Sequence, residues 1–161
     1  MPVWKYSVKV EDESKVAKAM MRDVPISLKE SYEIAKVLRG MKLKDAINLL
    51  EEVINYKTPI PYVRYKLGVA HKRALPNRFE RWGSPIGRYP VKAAKALLKL
   101  LRNVENNAEF KRLDVERTYI YHIAVHKGMY IKRWMPRAFA RATPKFRTTV
   151  NVEVIVKEGG A

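Results

Sequence analysis

The sequence predicts an α+β fold: a small antiparallel sheet packed against three helices, with a long basic β-hairpin protruding from it. Three observations point there, namely a two-residue apolar alternation near the start, three stretches of helical periodicity, and late strand-forming runs separated by a long basic connection. At the start, Trp4, Tyr6, Val8 and Val10 alternate with Lys5, Ser7 and Lys9, which marks a half-buried strand and places the beginning of the sheet there. Ser27-Leu28-Lys29-Glu30 has capping-box spacing, with the Ser27 hydroxyl set for the Glu30 amide and the Glu30 carboxylate for the reciprocal bond. The helix it opens has Ile34, Ala35 and Leu38 among its apolar positions and should end at Gly40, which suits a left-handed cap.

A second helix is predicted from about Lys42 to Ile54, because Leu43, Ala46, Ile47, Leu50, Val53 and Ile54 form one stripe. Lys44, Asp45, Asn48 and Glu51 then face water. The third helix opens at Pro90, whose missing amide hydrogen costs nothing at a first helical position. Ala94, Leu97, Leu98, Leu101 and Val104 make its buried stripe, while Lys92, Lys95, Lys99 and Arg102 make a separate basic ridge. Ordinary solvated surface is the alternative reading of that ridge. After the polar stretch Asn103 to Asn107 come Val115, Thr118, Tyr119, Ile120, Tyr121, Ile123 and Val125, which favour strands. In the last strand Val150, Val152, Val154 and Val156 occupy one face, and Thr149, Asn151 and Glu153 the other. Gly159-Gly160-Ala161 reads as a frayed end.

With 161 residues and 47% hydrophobic content, one core suffices, so a single domain over residues 1–161 is expected. Lys and Arg total 33 against 16 Asp and Glu, a net charge of +17 that repels itself unless something anionic is present. Nucleic acid and acidic membrane surface are the obvious neutralisers. No stretch approaches the roughly twenty apolar residues needed to span a bilayer, and Lys5 and Lys9 interrupt any signal-peptide run, so neither membrane insertion nor export is expected. The absence of cysteine removes disulfides and thiolate zinc modules and points to the cell interior.

The distribution of charge says more than its total. Between Val53 and Val104 the only carboxylate is Glu80, among Lys57, Arg64, Lys66, Lys72, Arg73, Arg78, Arg81, Arg88, Lys92, Lys95, Lys99 and Arg102. From Arg117 to Val152 there is no Asp or Glu, yet Arg117, Lys127, Lys132, Arg133, Arg137, Arg141, Lys145 and Arg147 lie there. A solvated surface interleaves both signs, so such single-signed runs read as contacts to backbone phosphate. The connection within about 127–148 lacks the Asn-Gly or Asp-Gly of a tight hairpin. Arms of about eleven residues meeting near Phe139 would reach roughly 35 Å. A ribbon of this composition has little apolar area to bury and many like charges, so an external partner is expected to order it. Tyr130, Trp134 and Phe139 add faces for stacking on unpaired bases, which suits folded RNA better than duplex DNA.

The order of strand, Ser27-capped helix closing in Leu38-Arg39-Gly40, second helix with Ala46-Ile47-Asn48-Leu49-Leu50, Lys- and Ala-rich third helix, and Ile131-Lys132-Arg133-Trp134-Met135-Pro136-Arg137-Ala138 with Arg141-Ala142 resembles the ribosomal protein L-twenty-two family of the large subunit. The resemblance covers most of the chain and is most specific from Lys132 to Ala142. It implies a globular body on the outside of the subunit near the tunnel exit. A hairpin would pass inward between rRNA segments to line the nascent-peptide tunnel, with Met135, Pro136, Arg137, Ala138, Phe139, Ala140 and Arg141 as its tip. Residues expected to bind large-subunit (23S-type) rRNA are Lys72, Arg73, Arg78, Arg81, Arg88, Lys92, Lys95, Lys99, Lys127, Lys132, Arg133, Trp134, Arg137, Arg141, Lys145 and Arg147. The other partners implied are neighbouring large-subunit proteins and the nascent polypeptide, in a cytoplasmic ribosome, with no homo-oligomer. The segment Tyr56 to Tyr89, with Pro59, Pro61, Pro76 and Pro85, resembles an insertion of the archaeal and eukaryotic branch and is expected to be an irregular RNA-bound extension. Phe139 stands where bacterial relatives usually carry a basic or small residue.

No enzyme site is legible. Gly83 and Gly87 bracket Ser84-Pro85-Ile86 without a phosphate-loop or nucleophile-elbow pattern. Glu51 and Glu52 are adjacent on a helix and point apart, as solvated residues would. Met20-Met21 reads as core or loop filler. His122 and His126 share a strand face, but no acidic residue lies near them in sequence, so packing or partner contact is expected rather than a metal site. No cofactor is expected. The competing readings are a free RNA chaperone or translational regulator using the same basic surface, and an RNA-processing enzyme.

Overall fold

The structure, a computed structural model, describes residues 5–10, 12–73 and 75–159. After a single 3-10 turn at Glu13–Lys15 the chain forms β1 (Val16–Val24), α1 (Leu28–Leu38), α2 (Leu43–Ile54), β2 (Ile60–Pro61), α3 (Leu75–Arg78) and β3 (Gly87–Arg88). It continues through α4 (Val91–Phe110), β4 (Thr118–Ile131), β5 (Trp134–Pro136), β6 (Ala142–Pro144) and β7 (Arg147–Glu158). The main sheet has the order β1-β7-β4 and is antiparallel throughout. The α+β class and the three long helices agree with the sequence reading, and α3 adds one turn inside the insertion.

The first strand is where the reading needs correcting. Residues 5–10 are not in a strand; β1 is instead Val16–Val24, carrying Met20 and Met21. The alternation did report sidedness, since Tyr6, Val8 and Val10 are half-buried and Lys5, Ser7 and Lys9 exposed; Trp4 lies outside the described residues. This segment is tied to the sheet through Glu153, whose Oε1 accepts from the Ser7 amide at 3.1 Å and from the Ser7 hydroxyl. Side chains rather than a backbone ladder hold it. The true β1 escaped notice because Ala, Lys, Met and Asp are poor strand formers, so its pairing with β7 decides its conformation.

The helices follow their stripes closely. The Ser27 hydroxyl accepts from the Glu30 amide at 3.5 Å, while no reciprocal bond from Glu30 forms among the described residues, so the capping box is half made. Gly40 takes φ +84°, and its amide donates to the Ile120 carbonyl at 2.9 Å, joining the α1–α2 turn to β4. Leu43, Ala46, Leu49, Leu50 and Val53 are buried on α2, with Ile47 and Ile54 at the rim. Pro90 is the residue before the first turn of α4 rather than within it. That helix runs on through the polar Asn103–Asn107 stretch to Phe110, because Val104 and Ala108 are buried and Asn107 Nδ2 donates to the Lys18 carbonyl at 3.0 Å. Tertiary contacts there outweigh weak local propensity. No helix among the described residues is long and apolar enough to cross a membrane.

The insertion is folded onto the body rather than wholly irregular. Glu33, on the buried face of α1, accepts from the amides of Val63 at 3.2 Å, Arg64 at 2.9 Å and Tyr65 at 2.7 Å. A buried carboxylate needs such donors, and a turning backbone with no ladder needs such an acceptor. β2 and β3 pair behind it, and Gly87 allows them to close, since a Cβ there would sit 2.6 Å from the Ile60 carbonyl oxygen and 2.7 Å from Leu75 Cδ2.

Two bulges meet where the hairpin leaves the body. The β1–β7 register shifts between Met21 and Val24, opposite Val152 to Val150, and the β4–β7 register shifts between Lys127 and Tyr130, opposite Val150 to Thr148, so the two bulges flank Val150. Asp23, at φ +52°, donates its amide to Asn151 Oδ1 at 2.7 Å. Its Oδ1 accepts from the Thr149 hydroxyl at 2.9 Å and the Met129 amide at 3.5 Å. Gly128 fits against this knot because it has no side chain; a Cβ would overlap Thr149 Oγ1 and lie 2.8 Å from Asp23 Oδ1. Bulges bend and twist a strand, and beyond these two β4 and β7 continue as a two-stranded ribbon without β1.

Glu33→Ala should lower stability by about 3 kcal/mol, because three amides lose their acceptor together. Denaturant unfolding measures the loss, and hydrogen exchange at Val63, Arg64 and Tyr65 should accelerate; unchanged exchange at those amides would contradict the assigned role. Gly128→Ala should cost roughly 1–3 kcal/mol by crowding and speed exchange at Met129 before the core strands. A variant as stable as the parent would show that the knot has room to spare.

Candidate nucleic-acid interface

The candidate interface is built outward from the β4–β7 ladder. Pairing continues from Thr118↔Glu158 at the body to Ile131↔Arg147, stops for two residues on each arm, and resumes as Trp134↔Pro144, Met135↔Thr143 and Pro136↔Ala142. The gap is bridged by the Lys145 amide donating to the Arg133 carbonyl at 2.6 Å, and the turn is closed by Arg137 donating to Arg141 at 2.8 Å. Phe139 and Ala140 take φ +59° and +53° between β5 and β6. Among the tip residues Met135 is half-buried, and Pro136, Arg137, Ala138, Phe139, Ala140 and Arg141 are exposed.

Proline at Pro136 and Pro144 is tolerated because this ribbon has no further strand on either side among the described residues. The Trp134 and Phe146 rings meet edge to face at 5.7 Å across the elbow, and with Pro25, Arg133, Met135 and Arg147 they line a cleft. Trp134 is nonetheless 62% exposed and Phe139 88% exposed. Aromatic rings so open to water in a ribbon present stacking faces. The Lys127 ammonium lies 4.1 Å from the centre of the Tyr130 ring and donates to its hydroxyl, and the Arg141 guanidinium is 5.9 Å from that of Phe139.

Lys127, Lys132, Arg133, Arg137, Arg141, Lys145 and Arg147 are all exposed and form no ion pair with a carboxylate among the described residues. On α4, Lys92, Lys95 and Lys99 form an exposed, likewise unpaired ridge, while Arg102 at its end pairs with Glu51 at 2.9 Å. In the insertion Arg73, Arg81 and Arg88 are exposed and Lys72 half-buried. Lys72 and Arg81 lie 5.6 and 5.1 Å from the ring centres of Tyr89 and Trp82. Arg78 differs from the rest: its guanidinium pairs with Glu52, which also accepts from the Thr58 hydroxyl at 2.6 Å. Glu51 and Glu52 therefore do point apart, but each ends on a cation of another element rather than in water.

Sequence reasoning missed several positioning residues. Glu33, Asp23, Gly128 and Asn151 organise the insertion and the hairpin root, and only tertiary pairing brings them to their partners. The histidines also need correcting, because an acidic neighbour reaches them from the adjacent strand. Nε2 of His122 and of His126 lie 3.3 and 3.5 Å from Glu153 Oε1, and His122 also contacts the Ser7 hydroxyl at 3.0 Å. Glu153, on the strand face opposite the valines, is fully buried beneath the N-terminal segment. No group of three or more metal-ligating side chains suited to a metal ion occurs among the described residues. At the far end, the Gly159 amide donates to the Arg117 carbonyl at 3.0 Å, so fraying does not begin there; Gly160 and Ala161 lie outside the described residues.

Comparison with known proteins accords with this geometry. The family profile described as Ribosomal protein L22p/L17e matches residues 19–157. The large ribosomal subunit protein uL22 of Staphylothermus marinus is 56% identical over 158 residues, covering 98% of this chain and 99% of that one. The uL22 proteins of Ignicoccus hospitalis and Hyperthermus butylicus are 59% identical over 160 residues and 57% over 158, with the same coverage of both chains. The matched span runs from β1 to the end of β7 and contains the whole hairpin, and on this ground the chain belongs to the ribosomal protein L22p/L17e family.

Proposed function

We propose that this chain is a non-enzymatic structural constituent of the large ribosomal subunit, acting as one domain in a cytoplasmic ribosome and bound to large-subunit rRNA. The body would sit near the polypeptide exit site, and the hairpin would line the nascent-peptide tunnel. Its relatives are named large ribosomal subunit proteins, which supports the first part. The observation that carries the RNA contact is the ribbon itself: exposed cations without carboxylate partners, with Trp134 and Phe139 open between them. Arg supplies planar donors for phosphate oxygens, and the rings supply faces for unpaired bases.

The cationic surface of the insertion and the α4 ridge would hold the body to neighbouring rRNA, with Arg73, Arg81, Arg88, Lys92, Lys95 and Lys99 free of carboxylates. Arg78 contributes less to this reading, because Glu52 already neutralises it. Lys132, Arg133, Arg137, Arg141, Lys145 and Arg147 would meet phosphates along the hairpin, and the tip from Met135 to Arg141 would face the nascent chain.

Residues 130–145 should be cut readily by protease in the isolated chain and protected by large-subunit rRNA; full protection without RNA counts against this reading. Changing Arg133 and Arg137 together to Ala should weaken RNA binding and flatten its dependence on log salt by roughly 1.4–1.8, one phosphate for each Arg. An unaltered slope would mean that neither side chain neutralises phosphate. Met135→Ala should leave subunit assembly intact while changing the passage of particular nascent chains through the ribosome, and failure of assembly would argue against the tunnel placement.

A further inference from the structure

A second cleft, away from the hairpin, opens between the N-terminal turn of α1 and the insertion. It has a volume of about 320 Å³ and is lined by Lys29, Glu30, Tyr62, Arg64, Tyr65 and Arg88, among others. That size lies at the lower end of the roughly 300–1,000 Å³ of small-ligand pockets. Tyr62 is only 3% exposed, and its hydroxyl is the one buried side-chain polar atom without a hydrogen-bond partner among the described residues. Its backbone is pinned on both sides, the amide donating to the Ile86 carbonyl at 2.8 Å and the carbonyl accepting from the Ser84 hydroxyl at 2.9 Å. Burial raises the Tyr62 phenol pKa, Glu30 and Glu33 raise it further and Arg88 opposes. A buried hydroxyl left unpaired is costly, which makes it a position where a ligand atom is wanted.

The walls suit a nucleotide. The Arg64 guanidinium lies 5.1 and 5.6 Å from the ring centres of Tyr32 and Tyr65, and the Lys29 ammonium 5.6 Å from that of Tyr65. These contacts hold two cations at the rim, neither paired with a carboxylate among the described residues. Arg88 donates one guanidinium nitrogen to the Gly68 carbonyl at 3.0 Å and keeps its other donors. The Glu30 carboxylate would repel a bare phosphate, but it is an acceptor for a sugar hydroxyl, and the tyrosine hydroxyl can give or take a proton. Such a pairing of cationic rim with neutral and acidic acceptors distinguishes RNA, whose 2′-hydroxyl both donates and accepts.

We propose that this cleft binds one nucleotide of an RNA strand, its phosphate on Lys29, Arg64 and Arg88 and its ribose 2′-hydroxyl between the Tyr62 hydroxyl and the Glu30 carboxylate. The assignment rests on the RNA-binding reading above and adds a site that tells ribose from deoxyribose.

The test uses the full chain carrying Arg133→Ala and Arg137→Ala, so that the hairpin contributes little, with a twelve-nucleotide oligouridylate and its deoxyuridylate counterpart as probes. The ribose probe should bind about tenfold more tightly and shift the backbone amides of Arg64 and Tyr65. Adding Tyr62→Phe removes only the unpaired oxygen and so spares the fold; it should bring the two probes to within about twofold of each other at an unchanged salt slope. Adding Arg64→Ala should instead lower the slope by roughly 0.7 and leave the ribose preference in place. Stationary amides, or a preference that survives Tyr62→Phe, overturns the cleft assignment. If the chain with its hairpin intact still binds RNA in that event, the cleft alone is wrong; if it does not, the wider reading fails as well.

Discussion

Everything distinctive in this molecule depends on one backbone ladder, the pairing of β4 with β7. At its inner end β7 is the central strand, with Val150, Val152, Val154 and Val156 against the helices and Glu153 and Ile155 buried on the opposite face. Burial on both faces makes a register slip costly, since sliding by one residue would exchange every side chain between faces. The register set in the core is then carried outward along the same two strands to Ile131 and Arg147. A ribbon with few apolar side chains of its own thus inherits its alignment from the body. The paired bulges around Asp23 and Gly128 mark where β1 ends and the two-stranded ribbon begins.

The carboxylates are used inside the protein. Glu33 holds the insertion by three amides, Glu51 and Glu52 reach Arg102 and Arg78, and Glu153 gathers Ser7, His122 and His126. Each stabilises the body, and apart from Arg78, which Glu52 neutralises, the exposed cations of the hairpin and of the insertion's Arg73, Arg81 and Arg88 have no carboxylate partner among the described residues. A net +17 so arranged is an electrostatic cost borne by the free chain and relieved by a polyanion. Folding and surface charge are therefore coupled: carboxylates that could quench the surface are engaged in holding the body together.

Three long helices were legible because their signals are local. Apolar spacing, the Ser27 hydroxyl and the positive φ demanded at Gly40 act within one or two turns of chain. The hairpin was legible for a related reason, its single-signed charge and exposed rings being properties of one continuous segment. β1 was not, because Met20, Met21 and Lys18 carry little strand preference and are extended only by pairing with residues more than 130 positions away. The N-terminal alternation showed the opposite error: it correctly separated inward from outward side chains at residues 5–10 but did not imply a strand.

The sequence alone determined the α+β class, the helix stripes and the single-signed charge of the segment from Arg117 to Val152, since periodicity and charge are read along the chain. Tertiary structure decided how the insertion docks, why Glu153 is buried, how Asp23 and Gly128 meet at the root of the hairpin, and that Tyr62 keeps a buried hydroxyl at a cationic cleft. Each of these joins groups far apart in sequence through a hydrogen bond or a close approach. Such contacts exist only once the backbone has brought the partners together, and no local pattern of residues encodes them.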